Sequence, residues 1–213
     1  MTRTRVKICG ITSAEDALLA VNAGADAIGL VFYEPSPRYV DVDRAAHIAS
    51  VIPPFVSIVA LFVNASVDQV KAVLENLPVS LLQFHGDESA SFCEQFKRPY
   101  IKALRMKPGV DVTSACFNYL SAQGILLDAY RKGVPGGTGE CFDWQAIPKD
   151  LCRPIVLAGG LHPDNIAAAI ASVNPAAVDV SGGVESFAGA KDSRRVIEFI
   201  HQVNLADMAE CKQ

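Results

Sequence analysis

Three side chains and two glycine pairs in this chain have the types and places to do chemistry. Cys9 stands in "VKICGIT" at residues 6–12, Asp128 in "GILLDA" at 124–129, and Arg38 in "YEPSPRYV" at 33–40. Gly159 and Gly160 lie in "LAGGL", while Ser181, Gly182 and Gly183 lie in "VDVSGGVES". A thiolate can take a proton, a carboxyl can give one, and an arginine fork suits a carboxylate or phosphate. Paired glycines let backbone amides approach an anion, and helix N-termini add partial positive charge. The set points to proton transfer on a phosphorylated small molecule.

Each residue also has an ordinary reading. A cysteine in a strand is more often a small buried hydrophobe than a base. A lone aspartate after an apolar strand is often a helix cap, and a loop arginine is often a solvated charge. Position decides between these readings, so the elements matter. Short β-branched runs occur at 5–9, 27–32, 57–62, 79–84, 100–105, 124–129, 154–159 and 176–181. Segments of helical spacing separate them, as in "SVDQVKAVLENL" at 66–77 and "PDNIAAAIASV" at 163–173. Thr12 with Glu15, and Ser66 with Gln69, have capping-box spacing, and Gly24 stands where a left-handed cap belongs. Strict alternation of eight strands with about eight helices predicts a parallel sheet, and the length favours a closed (β/α)8 TIM barrel over an open doubly wound sheet. No linker divides residues 1–213, which read as one domain.

Functional groups of such a barrel gather at the C-terminal strand ends. Cys9 ends the first strand, ahead of a helix opened by Thr12, whose N-terminus favours a thiolate. Lys7 shares its face one layer deeper and needs a carboxylate, which Asp179 on the eighth strand could supply. An inward Leu126 brings Asp128 to the mouth of the barrel. After it, "AYRKGVPGGTGE" at 129–140 is long and glycine-rich, a candidate lid. The glycine pairs follow strands seven and eight, the recurrent phosphate site of this architecture. Gln83 and His85 share a face at the fourth strand's end, where His85 is either a polar group behind the site or a satisfied core histidine.

The bulk properties narrow the partners. With 19 basic and 23 acidic side chains the net charge is −4, which gives no reason to expect nucleic acid. No run is long and apolar enough for a bilayer, and no signal segment is apparent, so the expectation is a cytoplasmic enzyme without a membrane. Six cysteines without a C-x-x-C pair argue against zinc, and a reducing compartment argues against a disulfide framework. No metal and no cofactor are expected, and a monomer is favoured over a homodimer.

Seven blocks in order along the chain carry a resemblance: "KICGIT", "FYEPSPRYV", "LLQFHGDE", "LLDA", "GGTGECFDW", "LAGGL" and "AVDVSGGVE". Together they closely resemble phosphoribosylanthranilate isomerase of tryptophan biosynthesis. The resemblance implies a cofactor-free Amadori-type isomerisation, with Cys9 as general base and Asp128 as general acid. It also implies that Arg38 faces the anthranilate carboxylate. One departure is Gly182, where a second serine would be expected, which removes a hydroxyl from the phosphate loop and leaves its backbone. A sister isomerase of histidine biosynthesis would carry aspartates at both catalytic strands, against Cys9. A silent phosphate-binding barrel would need neither Cys9 nor Asp128.

Overall fold

The computed structural model describes residues 3–107, 109–129 and 142–210 of the 213-residue chain. Its strands are β1 (Arg5–Cys9), β2 (Ala27–Val31), β3 (Ser57–Phe62), β4 (Leu81–Phe84), β5 (Tyr100–Met106), β6 (Gly124–Ala129), β7 (Ile155–Leu157) and β8 (Ala177–Val180). All pair in parallel and in chain order, and β1 also pairs with β8, setting Lys7 opposite Asp179. The closed (β/α)8 barrel is the fold, and the strands lie where the β-branched runs placed them.

Alternation along each strand sorts the side chains into two compartments. Outward residues such as Ile8, Ile28, Leu30, Phe62, Leu82 and Phe84 are buried under the helices. Each such side chain contributes on the order of 1.5–3 kcal/mol. Inward residues Ile101, Ala103, Leu126 and Ala158 form a plug inside the barrel, with Cys9, Val31 and Leu61 grouped separately. The plug is apolar, a floor on which a site can be built.

The helices are α1 (Ala14–Ala23), α2 (Val42–Ser50), α3 (Val67–Asn76), α4 (Ala90–Glu94), α5 (Val112–Phe117), α6 (Ile166–Val173) and α7 (Ser193–Glu210). Among the described residues these are seven, not eight, with only a 3-10 turn (Trp144–Ala146) between β6 and β7. Pro148 and Pro154, in the described part of that connection, lack the N–H that a continuing helix needs. The Ser66 and Gln69 box forms in both directions, and Gly24 closes α1 at φ 108°. The expected Thr12 cap does not form. Ser13 caps α1 instead, accepting from the Asp16 amide at 3.1 Å, while the Thr12 hydroxyl donates to the Gly189 carbonyl at 2.6 Å. α6 begins at Ile166 rather than 163, because Asn165 folds back, accepting from the His162 amide and donating to the Gly160 carbonyl.

Two further features depart from the expectations drawn from sequence. Between β8 and α7 the chain forms an antiparallel ribbon, β9 (Glu185–Phe187) with β10 (Ala190–Lys191), which sets Lys191 opposite Glu185. Cys116 of α5 and Cys152 before β7 are joined as a disulfide, a single crosslink that the reading against a disulfide framework did not foresee. Helix and loop meet there because β6 lies beside both β5 and β7.

Candidate active site

The strand ends bring all eight nominated residues to one open cavity. Cys9 enters from β1, Arg38 from the loop after β2, and Asp128 from β6. Gly159 and Gly160 follow β7, and Ser181, Gly182 and Gly183 follow β8. The glycine-rich lid expected at 129–140 lies, from residue 130, outside the described residues, as do Cys141 and Cys211.

Cys9 is less open than its place at the strand end implied. The residue is 6 % exposed and packs with Val31 and Leu61. Burial pushes its thiol up, and the Lys7 ammonium beneath it offsets part of that rise. The expected help from a helix N-terminus is not the governing influence: α1 starts only at Ala14, and macrodipole effects fade beyond the first turn. Lys7 lies within the barrel as anticipated, with Nζ 2.8 Å from Asp179 Oδ2. Burial alone would lower the Lys7 pKa, but the charges of Asp179 and Cys9 carry it above the usual value. Asp179 Oδ1 is buried without a partner among the described residues, and Asp179 lines the cavity.

Asp128 ends a polar relay. Gln83 Nε2 lies 3.0 Å from His85 Nδ1, and His85 Nε2 lies 3.0 Å from Asp128 Oδ2. With the Gln83 amide donating, the proton of His85 sits on Nε2 and is offered to Asp128. Oδ1 of Asp128 stays uncommitted among the described residues. His85 is thus neither a free base nor a bystander, since it fixes the carboxyl's orientation. The turn that carries it is held from below by the buried Lys102, which binds Glu88 at 2.9 Å and the Gly86 carbonyl at 2.6 Å.

The wall of the cavity after β7 and β8 is built from crossing backbones. A Cβ on Gly183 would stand 1.9 Å from the Leu161 carbonyl oxygen, and one on Gly159 would stand 2.2 Å from the Ala129 amide nitrogen. Only glycine lets these loops meet. Among the described residues Ser181 Oγ, on the cavity wall, is buried with no partner. An unpaired buried hydroxyl is costly, which is the condition of a group kept for a ligand.

Sequence reasoning missed the surroundings of Arg38. Its Nε and Nη2 bond both oxygens of Glu185 at 2.8 and 2.7 Å, so two edges of the fork are taken by the protein. Glu185 also meets the buried Lys191 at 2.8 Å. The one signal in sequence was "ESFAGAK", a glycine turn with opposite charges at its two ends.

A family model, N-(5'-phosphoribosyl)anthranilate (PRA) isomerase, matches residues 6–202. The chain is 60 % identical over 203 residues to the N-(5'-phosphoribosyl)anthranilate isomerase of Pseudomonas fluorescens Pf-5, covering 95 % of this chain and 97 % of that one. It is 56 % identical over 206 residues to the enzyme of the same name from Azotobacter vinelandii, covering 97 % and 100 %. The crystal structure of phosphoribosyl anthranilate isomerase from Thermotoga maritima superposes with a TM-score of 0.87 at 40 % identity, over 94 % of this chain and 98 % of that chain. Another isomerase structure, at 0.84 and 40 % with the same coverage, was solved in complex with reduced 1-(o-carboxyphenylamino)-1-deoxyribulose 5-phosphate.

Proposed function

The chain belongs to the N-(5'-phosphoribosyl)anthranilate isomerase family, and from that premise we propose how its cavity performs the reaction. It is an isomerase of tryptophan biosynthesis. The observation that carries the mechanism is the placement of Cys9 and Asp128 on one cavity that also holds the glycine loops and Arg38.

In this reading the phosphate of N-(5-phosphoribosyl)anthranilate lies against the loops after β7 and β8, where Ser181 Oγ finds its partner. The anthranilate carboxylate faces Nη1 of Arg38, the nitrogen that the pair with Glu185 leaves over. Asp128 gives its proton to the furanose ring oxygen; the C1′–O bond breaks, and the nitrogen lone pair forms the C1′=N bond. Cys9 as thiolate then removes the proton on C2′, and that electron pair makes the enolamine. Tautomerisation places a proton on C1′ and a carbonyl at C2′. C1′ is reduced as C2′ is oxidised, so the electrons balance within the substrate and the scheme calls for no cofactor. The product, 1-(2-carboxyphenylamino)-1-deoxyribulose 5-phosphate, is the unreduced form of the ligand in the related complex. We take it to work in the cytoplasm, as a biosynthetic role suggests.

The test is turnover followed by loss of anthranilate-type fluorescence. Asp128→Asn keeps the shape of the side chain and loses its titratable proton, so kcat should fall by at least ~10²-fold with little change in substrate binding. Near-normal turnover in the folded variant would rule out Asp128 as the acid.

A further inference from the structure

Arginine is a long, flexible side chain, and a single arginine on a loop has many ways to point. Here Arg38 has one. Its side chain is 14 % exposed, its fork is closed on Glu185, and its stem crosses Gly10. A Cβ at Gly10 would stand 2.5 Å from Arg38 Cδ, so the end of β1 is shaped to let this stem pass. Glu185 cannot swing either. The ribbon holds it opposite Lys191, whose side chain is fully buried and whose Nζ binds Glu185 Oε1 at 2.8 Å, the Cys9 carbonyl at 2.6 Å and the Ser181 carbonyl at 3.3 Å.

We propose that Glu185, anchored by Lys191, is a positioning residue that aims Arg38 at the substrate's carboxylate and so sets which substrates the cavity accepts. The proposal rests on the reading of Arg38 as the carboxylate clamp. Charge supports the arrangement as well as geometry. Two cations with one carboxylate leave a single positive charge on this wall, enough to welcome one anion. Burial works against the Glu185 carboxylate, yet the hydrogen bonds from Arg38 and the charge of Lys191 hold its pKa below the usual range. Lys191 contributes no group to the cavity, and its three partners are the end of the base strand, the anion loop and Glu185. One ammonium therefore ties the three parts of the site into one frame.

A neutral amide at 185 would break this geometry without changing its size. Glutamine has one acceptor, and its NH2 would face the donors of Arg38 or Lys191. Glu185→Gln should therefore raise KM roughly tenfold or more, while kcat changes much less. The decisive measurement is a cycle with Arg38→Met. If Glu185 acts through Arg38, Glu185→Gln adds no further KM loss once Arg38 is gone. Equal losses in both backgrounds, or a loss confined to kcat, would overturn the proposal. Glu185→Asp keeps the charge but is one methylene short, so it should recover part of the loss, and it runs through the same cycle should Glu185→Gln fail to fold. Melting midpoints accompany each variant. Unfolding of both 185 variants would assign Glu185 to the fold alone and also overturn the proposal. Absence of wild-type turnover on phosphoribosylanthranilate would instead sink the functional reading, so the two failures are distinguishable.

Discussion

Cys9 shows how one residue can be suited to two opposite demands. As a thiol it is comfortable among Val31 and Leu61, and as a base it must carry charge there. Lys7 is what makes the charged form accessible, and Asp179 works the other way, raising the thiol as burial does. The sign of the pH effect follows. Because the Cys9 pKa is raised, the reactive thiolate fraction is small near neutrality and grows as pH rises, so kcat/KM should climb through the alkaline range. Lys7→Met removes the favourable charge and should move that limb to higher pH. Adding Asp179→Asn removes the opposing charge and should bring the limb part of the way back. The single variant also leaves a buried carboxylate unpaired, at a cost of about 3–5 kcal/mol, so its melting midpoint has to be measured first. A limb that stays in place in both folded variants would show that Lys7 only plugs the barrel.

At the scale of elements, the loops proposed to hold the phosphate fit only because the loop after β8 carries no side chain where it meets Leu161. Gly183→Ala would drive a methyl into the Leu161 carbonyl and push the loop after β8 away from the loop after β7. Substrate KM should rise by roughly tenfold, as for loss of a hydrogen bond to a charged group, and competitive inhibition by inorganic phosphate should weaken in parallel. Unchanged phosphate inhibition would move the phosphate elsewhere in the cavity. The place of these glycines at the strand ends was legible in the sequence, because strand period and glycine pairs are local signals and the strand ends follow from them. The Lys7 and Asp179 pair was legible for the same reason, once the barrel was taken as closed. What stayed hidden depended on register or on a choice between equals. Thr12 and Ser13 are both competent caps, and nothing in the sequence told which hydroxyl would be needed by Gly189. Glu185 and Lys191 met through a ribbon too short to show a period, so the Arg38 fork was read as free when the protein already held two of its edges.

For the whole molecule, the question is what keeps a barrel closed while its catalytic strand ends stay in place. The entry to β1 is fastened to α7, the last helix, by Thr4, whose amide and hydroxyl both bond Asp207. A second fastening is the disulfide between Cys116 and Cys152, 36 residues apart, which encloses β6 and therefore Asp128. Closing a loop of that length stabilises by about 4 kcal/mol through the entropy of the unfolded chain. In a chain of this size that is roughly 10 °C in melting midpoint. Reductant should therefore lower the midpoint of the wild-type protein by about that amount and leave Cys152→Ser unmoved. Activity well below the midpoint should survive reduction. Asp128 is placed by its register with Arg105 on β5 and by the His85 bond, neither of which passes through the crosslink. If turnover fell with the disulfide while the barrel stayed folded, the crosslink would have to be counted among the groups that aim the acid. If reductant changed neither midpoint nor thiol count, the two sulfurs would be packed neighbours, and the barrel would rely on its strands alone.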